Sequence, residues 1–156
     1  MISGLAHAAV CVPDVDAATR WYSEVLGCRV LSPPYRMDGA AIERDMGELV
    51  PSPVIIKAAI VGFGVEDRVI ELVEYPSMDI STPDVSIAHA GLTHVGLVCD
   101  DIEQTRSELE ARGVEFLTAG IASVAGLRTT WFRDPWSAVF ILMEKGAADR
   151  PYWRQY

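Results

Sequence analysis

Apolar and polar positions follow one pattern twice along this chain. In HAAVCVPDVDAATRWYSEVLGCRV, from His7, a short apolar run ends at Asp14; Val15, Ala18, Tyr22, Val25 and Leu26 then fall near helical spacing until Gly27. In HVGLVCDDIEQTRSELEARGVEF, from His94, the same order returns, with Ile102, Thr105 and Leu109 as a weaker helical stripe before Gly113. Laid together, His7 pairs with His94, Val10 with Leu97, Asp14 with Asp101, Val15 with Ile102 and Asp16 with Glu103. A one-residue gap late in the helix brings Gly27 onto Gly113. Each copy therefore predicts a strand, an acidic residue able to cap a helix, the helix, and a glycine that closes it. Further apolar runs predict strands over roughly Cys28 to Leu31, Val54 to Val61 and Arg68 to Tyr75 in the first copy. In the second they fall over Val114 to Leu117, Leu127 to Phe132 and Ala138 to Glu144. The expected fold class is α+β, a βαβββ unit used twice.

The pattern also sets the organisation. One domain is expected over 1–145, with unit 1 at about 4–75, a linker at 76–91 and unit 2 at about 92–145, followed by a tail at 146–156. The stretch SPPYRMDGAAIERDMGELVPSP, Ser32 to Pro53, is longer than an ordinary connection and has room for a short helical turn. It is a candidate lid or substrate loop.

Composition narrows the function. Half of the 156 residues are hydrophobic and 22% are charged, as in a globular domain. A net charge of -9 opposes binding to nucleic acid, because phosphate recognition relies on Lys and Arg. The opening MISGLAHAAVCVPD has no basic start, and its apolar run stops at Pro13, so neither a secretory signal nor a membrane span is expected. Cys11, Cys28 and Cys99 form no close pair and read as reduced thiols. A cytoplasmic protein is the expectation.

A tandem βαβββ pair with His opening each half, Glu in VIELVEYP and the turn DPW before the last strand resembles the vicinal oxygen chelate superfamily. That group includes glyoxalase I, methylmalonyl-CoA epimerase, extradiol dioxygenases and bleomycin resistance proteins. The resemblance runs from Leu5 to about Lys145. It implies two units forming a curved, half-open β-barrel with helices on the outer face, and metal ligands on the first and last strands of each unit. Carried over, those positions are His7, Glu71 and His94; the fourth, under the family's glutamate, is Ile141. The family typically continues DPW with GN, where this chain has Ser137 and Ala138. Strand parity sets Glu144 on the face opposite to Ile141, so it does not replace the lost ligand.

Two imidazoles and one carboxylate suit Fe, Mn, Ni, Co or Zn and leave coordination positions open. The resemblance then implies a divalent-metal-dependent enzyme acting on a small oxygen-rich substrate, as a lyase or isomerase working through a metal-stabilised enolate. The alternatives are a non-haem iron dioxygenase and a metal-free binding protein of the bleomycin-resistance type. Ile141 cannot carry a proton, which leaves Glu43, Asp45 or Glu48 of the long loop as candidate bases. Lys57, inside VIIKAAIV, is a candidate for an anionic substrate group. The aromatic tail DRPYWRQY is an argument for a homodimer.

Overall fold

Strand β1 (His7–Cys11) leads through Asp14 into helix α1 (Val15–Glu24) in a computed structural model that describes residues 4–64, 68–80 and 87–155. The Asp14 carboxylate accepts a hydrogen bond from the Ala17 N–H at 2.9 Å, satisfying one of the donors a helix start leaves open. Strand β2 (Arg29–Met37), helix α2 (Ala40–Met46), β3 (Ile56–Gly62) and β4 (Val69–Glu74) follow. The sheet order is β1-β4-β3-β2, with β1 parallel to β4 and the other pairs antiparallel. The apolar stripe of α1, with Val15, Ala18 and Tyr22 buried, supplies the cover for this sheet.

The second unit repeats the plan. Strand β5 (Val95–Cys99) leads through Asp101, whose carboxylate accepts from the Gln104 N–H at 2.9 Å, into α3 (Ile102–Ala111). After it come β6 (Glu115–Phe116), β7 (Ala122–Val124), β8 (Leu127–Arg133) and β9 (Val139–Lys145). The sheet order is β5-β9-β8-β6, with β7 on β8 and β5 parallel to β9. Gly27 (φ 74) and Gly113 (φ 83) both take the left-handed conformation just past their helices, as the repeat predicts. Compact units divide at Met1–Ser81 and Thr82–Tyr156.

Two details differ from the expected elements, and a third, the helical turn of the long loop, agrees with them. Strand β2 runs on through Pro33 and Pro34 to Met37, into the stretch expected to be irregular. It is an edge strand, and register shifts between Val30 and Tyr35 accommodate the prolines that a central ladder would not accept. The short helical turn of the loop is the seven-residue α2. Strand β7 is an addition, made by a two-residue turn at Ala125 and Gly126 (φ 50 and 76), both left-handed as a tight hairpin demands. Of the 76–91 stretch, residues 81–86 lie outside the described residues.

Side-chain parity divides each sheet into two faces. In unit 1 the Glu74 carboxylate accepts from the Val15 N–H at 2.9 Å, so the row Ile70, Leu72 and Glu74 faces α1. In unit 2 Glu144 accepts from the Ile102 N–H at 2.7 Å, so the row Phe140, Leu142 and Glu144 faces α3. The two glutamates are counterparts, each holding the start of its own helix, and Glu144 is on the opposite face from Ile141.

Candidate metal centre and its surroundings

The face of unit 1 turned away from α1 carries the odd-numbered residues of β1 and β4. The parallel register sets His7 beside Val69, Ala9 beside Glu71 and Cys11 beside Val73. Across this row His7 Nε2 and Glu71 Oε2 come to 3.1 Å, with the imidazole 44% and the carboxylate 19% exposed. At this separation the two groups are in direct contact, and the same spacing matches two donors bound at about 2.1 Å and near right angles to one divalent ion, which stand about 3.0 Å apart. A neutral imidazole nitrogen and a carboxylate oxygen are also the donor types that such an ion takes.

In unit 2 the matching row carries His94, Gly96 and Val98 beside Ile141 and Met143. Thr93 Oγ1 lies 2.8 Å from His94 Nδ1, which leaves Nε2 as the ring nitrogen for a metal. The His94 ring stands edge-on to Trp131, centroids 4.9 Å apart at 71°. Trp131 is the cross-strand partner of Ile141.

Helix α2 packs on the same face of unit 1 that holds His7 and Glu71. There Val54, Ile56, Ala58 and Val73 form a buried cluster, covered by Met37, Ile42, Met46, Val50 and Tyr75. Glu43 is committed to this cover: its carboxylate accepts from the Val54 N–H at 2.7 Å and from the Ser52 hydroxyl at 2.8 Å. Its position thus explains a folded loop better than a base. Asp45 and Glu48 are exposed on the same segment. Lys57 Nζ stands 3.7 Å from both Asp16 and Glu74, the latter on the α1-facing row. That location turns Lys57 away from the His7–Glu71 face, against the expectation that it meets substrate.

Tyr75 and Cys11 escaped the sequence reading although their parity with Glu71 and His7 points to them. Burial pushes the Tyr75 phenol above its ordinary range, and the nearby Cys11 and Glu71 add to the effect. Tyr75 therefore stays protonated at neutral pH. Burial likewise raises the Cys11 thiol, which argues against a nucleophilic thiolate there.

One acidic group elsewhere has metal-like spacing: single oxygens of Asp101, Glu103 and Glu144 all lie within 4.8 Å of one another. Its charges are already used. Asp101 and Glu144 hold the start of α3, and the Arg128 guanidinium pairs with both Glu103 and Glu144. The hydrogen bond from Arg128 holds the Glu103 carboxyl below its usual range.

The repeated strand-helix-strand units, with His at each first strand and the DPW turn ahead of the last, define a tandem βαβββ protein. The chain belongs to the Glyoxalase/Bleomycin resistance protein/Dioxygenase superfamily, whose family model matches residues 4–140. Members of that superfamily bind small-molecule substrates and typically use a divalent metal. No curated protein matches the chain. Among solved structures it is similar to a glyoxalase family protein from Bacillus cereus, at 17% identity and a TM-score of 0.79, covering 94% of this chain and 97% of that one. A superfamily member from Sphaerobacter thermophilus matches at 24% identity and a TM-score of 0.61, covering 92% and 98%. Glyoxalase I from Zea mays matches at 20% identity and a TM-score of 0.66, covering 96% of this chain but 47% of that one. These likenesses show the fold. Among the described residues no helix is long and apolar enough to cross a membrane.

Proposed function

We propose that this chain is a divalent-metal-dependent enzyme that holds its ion through His7, Glu71 and His94 and acts on a small oxygen-rich molecule as a lyase or isomerase. The observation that carries the reading is the approach of His7 Nε2 to Glu71 Oε2 at 3.1 Å on the face of the first sheet turned away from α1. When bound, the ion supplies Lewis-acid stabilisation of negative charge on a substrate oxygen. Glu71 and the two imidazoles would hold the ion, and the Thr93 hydroxyl orients the His94 ring. Ile141 neither ligates nor accepts a proton, so the proton that enolate formation releases goes to a group other than the side chain at 141.

The same donor set supports a second reading, a non-haem iron dioxygenase, because two imidazoles and a carboxylate leave open positions on Fe(II). Turnover that stops in the absence of dioxygen would select it. A cytoplasmic homodimer is the proposed working form, supported by Tyr152 and Trp153, which stand exposed on a turn that Gln155 pins through four hydrogen bonds.

The test is metal content by elemental analysis, for Fe, Mn, Ni, Co and Zn, of the protein and of a His7→Ala/His94→Ala variant. Near-stoichiometric metal in the first and its loss in the second is the expected result; equal content in both sinks the proposed ligand set.

A further inference from the structure

Ile141 removes a ligand, and the sheet face on which it stands gives it a second role. Register places Ile141 beside Gly96 on β5 and across from Trp131 on β8, while Met143 is beside Val98. A Cβ on Gly96 would meet Met143 Cε at 2.8 Å and Ile141 Cγ2 at 3.7 Å. The glycine thus leaves room for both side chains to lie against the strand that follows His94. Trp131 and the His94 ring meet edge to face, and both Trp131 and Ile141 keep part of their surface in solvent, with Met143 buried beneath. The equivalent positions of unit 1 hold Ile60, Glu71 and Val73; here they hold an indole, a branched alkyl group and a thioether. None of these three titrates, and the indole and the thioether favour an aromatic neighbour.

We infer that the shelf made by Trp131 and Ile141 over the buried Met143, beside His94, receives the non-chelating part of the ligand, so that the ligand is a small bidentate oxygen chelator bearing an aromatic group. The inference rests on the metal reading above and adds the substrate class to it. A carboxylate at 141 would ligate the ion; an isoleucine there exchanges that ligand for contact with an apolar substituent.

Acetohydroxamate and benzohydroxamate test this, since they offer a metal the same pair of oxygens and differ only in methyl against phenyl. Their affinities for the Co(II)-loaded protein are measured by calorimetry, with Co(II) content determined for each variant. Benzohydroxamate is expected to bind at least about tenfold more tightly, the effect of covering most of a phenyl ring. Ile141→Gln and Trp131→Ala should each reduce that ratio to about threefold or less, and Ile141→Leu should keep it. A ratio near one in the unaltered protein, or one that survives both Ile141→Gln and Trp131→Ala, overturns the shelf while leaving the metal site standing. Failure of the unaltered protein to bind Co(II) overturns the metal site, and the shelf with it. Should Trp131→Ala fail to fold, the comparison of Ile141→Gln with Ile141→Leu decides alone.

Discussion

Ser137 occupies a backbone conformation that a side chain resists. It closes the DPW turn with φ 76, its N–H donating to the Asp134 carbonyl at 3.2 Å, while the Asp134 carboxylate takes the N–H groups of Trp136 and Ala138 at 2.9 and 2.7 Å. The left-handed region costs a non-glycine residue roughly 1–2 kcal/mol, and glycine's extra freedom in the unfolded chain returns about half of that. Ser137→Gly should therefore stabilise the fold by about 0.5–1 kcal/mol, read as a higher urea midpoint with an unchanged slope. Cys28 gives a second residue-scale expectation. It is 4% exposed and its thiol is pushed up to about 12 by burial, whereas Cys11 is exposed. Titration with a disulfide reagent at pH 8 should label Cys11 slowly, because its thiol is also raised, and leave Cys28 unlabelled until denaturant is added. Fast labelling of Cys28 in the native protein would contradict its placement.

At the scale of elements, the two halves use one device to attach a helix to a sheet. A glutamate near the end of the last strand takes the first N–H of the helix: Glu74 for α1 and Glu144 for α3. Glu74→Ala should cost about 2 kcal/mol, because it removes a charge-assisted bond from a nearly buried site and strips Lys57 of a partner. Glu144→Ala should cost about half as much, since its site is wetter and Arg128 keeps Glu103. Denaturant unfolding of the two variants checks both, and equal losses would count against the difference in burial. This pairing was legible in the sequence, because alternation along VIELVEYP and VFILMEKG puts Glu74 and Glu144 in one row and Glu71 and Ile141 in the other. Other features were not. Pro33 and Pro34 argue against a strand unless it is known to be an edge with shifted register, and that depends on which strands become neighbours. Glu43 looked like a free base because its partner, the Val54 N–H, reaches it only when the loop has folded back. Lys57 could be assigned to the α1 side only once Glu74 was known to be its cross-strand partner.

For the whole molecule, the proposed ligand set makes stability depend on metal. An ion that binds the native state and not the unfolded chain adds about 2.7 kcal/mol at a hundred times its dissociation constant. For a chain of 156 residues that corresponds to a rise in melting temperature of about 5–10 °C. Adding Co(II) or Zn(II) to chelator-treated protein should produce that rise, and excess EDTA should reverse it. His7→Ala and His94→Ala should each abolish most of it, because a divalent ion left with two ligands binds far more weakly. Persistence of the full rise in His94→Ala would remove that histidine from the set and leave the His7–Glu71 pair, 3.1 Å apart, as the anchor. Ile141→Glu should act in the opposite direction. A carboxylate at that position restores a fourth ligand of the family, tightening metal binding by at least about tenfold and enlarging the melting shift. The cost of such a gain is the apolar surface beside Trp131, so the variant that holds metal best should also lose its preference for a phenyl-bearing chelator.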